Sequence, residues 1–244
     1  MKKNHKIQAV LIVGALALLS FFPSCGPGCI DGNGTIVSEM RDVQGFSSVV
    51  MSSDFDVFIT QDTVYSVEVE GDENLLPYVI ADMRSTGTLE LRSSNNRCLN
   101  SSGPIKVYVK TPDILNVTNS GSGYIECRKV FNKKFNVLLS GSGEIFCPNL
   151  DTYDLRATIS GSGLIELSGK TITSNMKISG SGKIKAYGMD QNECYMTITG
   201  SGDAYVFVFD YLNVSIPGSG DVFYRGDPDL DYRIDGSGRV IDNN

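Results

Sequence analysis

The chain has 244 residues, 28 acidic against 21 basic side chains, a formal net charge of −7 and a single histidine. That balance gives no electrostatic basis for holding a nucleic acid, and no basic stripe runs anywhere along it. The histidine stands at position 5, so any chemistry that needs an imidazole in the folded part is excluded.

Lys2, Lys3 and Lys6 make a basic start, followed by an apolar run from Ala9 to Phe22 and then Pro23-Ser24-Cys25. The run is shorter than the roughly 20 apolar residues a membrane-spanning helix needs, so residues 1–24 read as a secretory signal. A small residue directly before Cys25 is the pattern of a bacterial lipobox, in which the cysteine is acylated and becomes the mature N-terminus. Cys29 is the poorer candidate, because Gly26-Pro27-Gly28 lacks an apolar residue three places upstream. Cleavage after residue 24 takes three lysines and His5 with it. The mature chain then carries 18 basic and 28 acidic residues, a net charge of −10. Several acyl chains on Cys25 would anchor it firmly to a membrane. Residues 25–39 read as a lipid-anchored tether, flexible through the glycines of 26–34.

Residues 40–112 are expected to form atypical first coils of a longer stack. Val49 to Ile59 has the pattern strand, corner, strand, with Ser52-Ser53-Asp54 at the corner. Tyr65 to Glu70, Thr88 to Arg92 and Ile105 to Lys110 alternate as strands, and Asp72 to Val79 suits a short helical turn over the end of the stack. Atypical terminal units are what an open core requires as a cap.

Residues 113–244 carry seven copies of Gly-Ser-Gly, beginning at Gly121, Gly141, Gly161, Gly180, Gly200, Gly218 and Gly236, with spacings of 20, 20, 19, 20, 18 and 18. Such a period means stacked units. Apolar residues flank each tripeptide at even offsets, such as Ile159 and Ala157 before Gly161 and Ile165 and Leu167 after Gly163. Side chains that alternate with period 2 are strands. Each unit therefore reads as strand, bend, strand and return loop, and the whole as an all-β, single-domain parallel β-helix of about 20 residues per coil. The corner glycines are expected at φ > 0, and also where coils about 4.8 Å apart leave no room for a Cβ. The middle serines, Ser122 to Ser237, should form a structural turn ladder. By parity Tyr232 should face inward, and so should Cys127, Cys147 and Cys194. Cys127 and Cys147 sit one coil apart, where free buried thiols are favoured, although a bridge between them stays open.

The segments Val43-Gln44-Gly45-Phe46-Ser47-Ser48-Val49, Asp56-Val57-Phe58-Ile59, Tyr65 to Gly71 and Gly87 to Leu91, followed by serial Ser-Gly-Ser-Gly units, resemble the auto-transporter adhesin head (GIN) domain family. The resemblance spans roughly residues 40–240. It implies a β-helical envelope protein of a kind common in lipoproteins of gut-type Gram-negative bacteria, with no catalytic residues to carry over.

No enzyme signature emerges. Gly169-Lys170-Thr171 has its upstream glycine, Gly163, one residue too far for a phosphate loop. Glu126, Glu144 and Glu166 read as solvated surface acids, and the return segments are too short to wall a catalytic groove. Zinc lacks ligands, and calcium at Asp203 and Asp221 would have one carboxylate per coil where six to eight oxygens are wanted. No metal or cofactor is expected. Outward positions after successive corners include Tyr124, Phe146, Tyr205 and Phe223, an aromatic row that could stack on sugar rings or on a partner's flat sheet. Two functions fit: an envelope lipoprotein presenting a face for adhesion or protein interaction, or a glycan-binding or glycan-processing accessory of the cell surface. The membrane contact runs through the lipid, no nucleic acid is involved, and ligand, membrane face and oligomeric state stay open.

Overall fold

The computed structural model describes residues 28–85 and 87–244; the expected signal segment 1–24 and the expected lipidation site Cys25 lie outside the described residues. The chain forms a parallel β-solenoid. Tyr124–Leu139, Glu144–Ile159, Leu164–Ile178 and Lys183–Ile198 each run as one bent strand from corner to corner and pair in parallel with the next coil. Ala204–Ile216 continues the stack, and Val222–Arg225, Asp229–Ile234 and Val240–Asp242 finish it.

No separate return loop exists between corners, which corrects the expected unit. In Glu144–Ile159 the inward residues are Ile145 and Cys147, then Leu150 and Thr152, then Leu155, Ala157 and Ile159. The parity of the inward residue changes twice, so each coil bends twice more without leaving β-structure and presents three faces. The interior is one apolar column: Ile125, Ile145, Ile165, Ile184 and Ala204 stack above one another, as do Leu139, Ile159, Ile178, Ile198 and Ile216, all buried. One bend carries a buried polar column instead. Thr111, Thr152, Thr171 and Gln191 bond the backbone that turns there, as when the Thr111 hydroxyl donates to the Phe46 and Asp113 carbonyls at 2.8 and 2.9 Å. Among the described residues every buried side-chain nitrogen or oxygen has a partner. At the last coil the pattern relaxes: Tyr232, expected inside, is 57% exposed, because nothing stacks beyond it to cover that strand.

Of the two causes expected for the corner glycines, only the close approach of coils holds. None of the Gly-Ser-Gly residues has φ in the left-handed region; the positive-φ glycines are Gly34, Gly45, Gly87, Gly169 and Gly226. What forbids a side chain is the coil below. A Cβ on Gly161 would lie 1.9 Å from the Gly141 carbonyl oxygen, and one on Gly163 would lie 2.0 Å from that of Gly143. The middle serines are exposed, in line with a ladder along the edge.

The N-terminal half closes the other end out of sequence order. Ser48–Met51 and Asp56–Gln61 form a coil around the Ser-Ser-Asp corner, directly beneath Asn116–Asn119 and the start of Tyr124–Leu139. Thr88–Ser93 and Lys106–Thr111 lie beneath that coil, also parallel. Below them the direction reverses: Ser66–Asp72 and Val79–Ser85 pair antiparallel, and Ile36–Arg41 adds antiparallel to Ser66–Asp72. A 3-10 turn, Leu76–Tyr78, joins the two reversed strands and seals the core with buried Leu75 and Leu76. Reversing the chain there ends the repeat, so another parallel coil has no matching ladder to extend.

The tether reading of 25–39 is corrected from Cys29 onward. Cys29 and Cys98 form a disulfide, and Ile30–Asp31 pairs with Leu99–Asn100. Asp72 accepts hydrogen bonds from the backbone N–H groups of Gly34 and Ser102 at 2.7 and 2.9 Å, and from the Ser102 hydroxyl at 2.5 Å. Gly32 packs so closely on that carboxylate that a Cβ would sit 2.4 Å from it. These bonds hold the Asp72 carboxyl below the usual carboxylate range, the Ser102 hydroxyl contributing most.

Candidate functional site

The first, third and fifth residues after each corner point outward, because the second and fourth point into the core. Strand register stacks the third residues into a continuous column: Tyr108, Phe58, Glu126, Phe146, Glu166, Lys185, Tyr205, Phe223 and Ile241. This column is the axis of the candidate binding face.

Four residues were expected to line that face as one row, and the structure distributes them differently. Tyr205 and Phe223 stack face to face, ring centroids 4.9 Å apart and planes within 6°. Tyr124 belongs to a second cluster, edge-on to Phe58 at 6.3 Å, while Phe58 stacks on Tyr108 at 5.3 Å. Phe146 stands between Glu126 and Glu166, flanked by carboxylates rather than rings. The row is thus two aromatic clusters with a charged centre. Phe58 stands fourth, not third, after Ser52-Ser53-Asp54, and it joins the column because Asp56 pairs with Tyr124, which sets that corner one residue later than the sequence suggests. Tyr187, the fifth residue after its corner, has no regular repeat to announce it.

Tyr187 stands edge-on to Tyr205 at 5.6 Å, the Arg225 guanidinium lies 4.2 Å from its ring centre, and its hydroxyl accepts from Asn243 at 3.0 Å. At the other cluster Arg128 lies 4.9 Å from the Phe58 ring centre and pairs with Glu126 at 3.1 Å. Aromatic and cation–π contacts of this kind hold the rings in fixed poses. Burial pushes the Tyr187 phenol up, partly offset by Asn243 and Arg225. The Tyr124 phenol rises through burial and then the carboxylates of Glu126, Glu144 and Asp56. Both phenols therefore stay neutral at neutral pH.

Two hollows open on this face and share Glu166. One, of about 270 Å³, is lined by Tyr124, Glu144, Phe146 and Leu164. The other, of about 310 Å³, is lined by Leu167, Ser168, Lys185, Tyr187, Gly188 and Tyr205. Asp203 and Asp221 engage cationic side chains, Lys183 at 3.4 Å and Arg239 at 2.5 Å, and Arg239 holds the Asp221 carboxyl below the usual range. Among the described residues no group of three or more His, Cys, Asp or Glu side chains could hold a metal ion, and no helix is long and apolar enough to cross a membrane.

The cysteines divide by environment. Cys127, Cys147 and Cys194 are free and buried, which closes the open question of a Cys127–Cys147 bridge. Burial pushes the Cys147 thiol well up, reinforced by its hydrogen bond to Cys127, and pushes Cys194 up to about 11. Such thiols are not nucleophiles at neutral pH.

Comparison with known proteins agrees with this architecture. The model of a family described as "Putative auto-transporter adhesin, head GIN domain" matches residues 45–228. Among solved structures, a putative adhesin from Bacteroides fragilis superposes with a TM-score of 0.81 at 18% identity, covering 86% of this chain and 98% of its own. A putative lipid binding protein from Parabacteroides distasonis gives a TM-score of 0.73 at 22% identity, covering 88% and 100%. A putative adhesin from Parabacteroides merdae gives 0.69 at 22% identity, covering 87% and 99%. No curated protein matches the chain.

Proposed function

The chain belongs to the family described as "Putative auto-transporter adhesin, head GIN domain", and from that premise we propose that it is a non-catalytic, lipid-anchored lipoprotein of the cell envelope. In this reading it is exported by residues 1–24, acylated on Cys25 and held at the outer membrane, where the solenoid presents its outward face for adhesion. The observation that carries the reading is that face: rigid strands display two fixed aromatic clusters around a charged centre, and hollows of about 270 and 310 Å³ open directly onto the surface. A binding surface needs fixed side chains on a stiff scaffold, whereas catalysis needs a desolvated cleft with activated groups. The Cys29–Cys98 disulfide supports export, since such bonds persist in oxidising compartments. It also engages Cys29, which supports acylation at Cys25 in this reading. Glycan binding at the cell surface is the second reading, favoured by the same aromatic rings.

Cys25→Ser tests the anchor, and protease treatment of intact cells tests display. The variant should leave the membrane fraction, and the native protein should be shaved from cells. A variant that still partitions with membranes through an acyl group, or a native protein fully protected from protease, would refute the corresponding half of the reading.

A further inference from the structure

We infer that the hollow between Glu166 and Tyr205 is a binding site for a pyranose ring of a neutral glycan. This deepens the adhesion reading, and rests on it for its biological setting alone.

The site arises from a mismatch in coil length. Register runs Glu166↔Lys185 and then Ser168↔Gly188, so Lys183–Ile198 carries one residue more than the coil below. Against the coil above, register jumps from Ala186↔Val206 to Asp190↔Phe207, leaving residues 187–189 without partners. A bulge of this kind re-aims side chains and ends local pairing. It leaves the outward Tyr187 unpaired with the coil above, beside Tyr205, and the hollow of about 310 Å³ there lies near the lower end of the ~300–1,000 Å³ range of ligand pockets.

Its walls are fixed before any ligand arrives. Phe223 backs one face of Tyr205, while Arg225 and Asn243 hold Tyr187 from the last coils. Its polar groups, by contrast, make no side-chain hydrogen bond, Glu166 and Lys185 sharing only a long ion pair. Glu166 and Lys185 stand 3.9 Å apart, beyond hydrogen-bond distance, and half-exposed. Neither they nor the hydroxyls of Ser168 and Tyr205 are engaged in any side-chain hydrogen bond of the described residues. A pyranose ring asks for this combination. Its C–H face lies against the electron-rich face of an aromatic ring, and its hydroxyls both donate and accept. Glu166 accepts and Lys185 donates. Their charges cancel locally on a chain of net charge −7, which selects a neutral sugar over a polyanion. Pre-formed walls keep the ordering cost of binding small.

The test is a glycan array of the full chain against neutral hexamers of glucose, galactose and mannose in α and β linkage, with heparin and pectate as polyanions. Calorimetry follows on any hit. At least one neutral hexamer should bind, weakened tenfold or more by Tyr205→Ala and by Glu166→Ala. Tyr205→Phe, which keeps the ring and its stack, should stay within about threefold. Tyr153→Ala, an exposed tyrosine on another face of the coil, should change nothing. The inference fails if no neutral hexamer binds, if polyanions alone bind, or if binding survives Tyr205→Ala and Glu166→Ala. Because purified protein is used, failure here leaves the shaving and fractionation results untouched, and the converse also holds.

Discussion

Replacing Gly161 with alanine should break the stack where the repeat is most regular. The added methyl would sit 1.9 Å from the Gly141 carbonyl oxygen and 2.7 Å from that of Ser140. Ordinary contact begins at about 3.4 Å, so the two coils would have to part by more than 1 Å at that corner. Three ladder bonds cross it: Ser160 N–H to Leu139, Ser162 N–H to Gly141 and Leu164 N–H to Gly143, at 2.9, 3.3 and 3.1 Å. At a net ~1 kcal/mol each, their loss amounts to about 3 kcal/mol before any disturbance of Ile159 or Ile165. Gly87 supplies the contrast. Its φ is +80° with nothing within 4 Å of a Cβ, so Gly87→Asn should cost less than ~1 kcal/mol, since asparagine tolerates that region. Gly161→Asn should be as damaging as the alanine, and Ser162→Ala should fall within ~0.5 kcal/mol of the parent. Urea unfolding midpoints at constant m-value measure all four. If Gly161→Ala and Gly87→Asn prove equally mild, stacking is not what the corner glycines are for.

Ile165, fully buried between two regular coils, should lose several kcal/mol on Ile165→Asp; a loss below ~1 kcal/mol in the same unfolding assay would mean the inward register is shifted. Cys98→Ser opens a loop of 69 residues and should lower stability by up to ~4 kcal/mol on the chain-entropy model, and an unchanged midpoint would show that the bridge does not constrain the unfolded chain. Acid should loosen the N-terminal segment first. The Asp72 pKa is depressed in the fold, so its contribution is present above the unfolded value of ~3.9 and is lost as pH falls through the folded value. Hydrogen exchange at residues 30–35 should therefore accelerate below about pH 4, and Asp72→Asn should abolish that dependence.

The solenoid was legible because its cause is local and repeated. Every coil needs the same small corner and the same inward pairs, so Ile125, Ile145 and Ile165 mark their positions independently. The cap was legible only in its elements. Ser66–Asp72 and Lys106–Thr111 alternate visibly, but their antiparallel pairing, and the insertion of Ser48–Gln61 between later strands, depend on contacts far apart in the chain. The glycine corner was identified for half the right reason, since close approach can be argued from a period and a dihedral cannot. Cys29 and Cys98 escaped because each sits in a polar, irregular stretch outside the repeat, where no parity rule relates them.

The departures from the period matter more for function than the period itself. Six spacings between corners run 20, 20, 19, 20, 18 and 18, and a coil that differs in length from its neighbour must discharge the difference as a bulge. The core resists this at the corners and along the inward columns, where a shifted residue would bury a polar side chain or collide with a carbonyl. The surplus therefore emerges between the inward columns, and here it does so at residues 187–189, where Tyr187 and Gly188 reach the surface and Met189 stays buried, opening the hollow beside Tyr205. A solenoid of this type can thus change what it presents by changing one coil's length, with the stacked core and its glycine corners left in place. Lengthening the segment 206–208 by three residues, to match the stretch 186–191 that pairs with it, should close the hollow while leaving the unfolding midpoint nearly unchanged. A large loss of stability from that insertion would show the short coil to be a packing requirement instead of a place where binding surface is made.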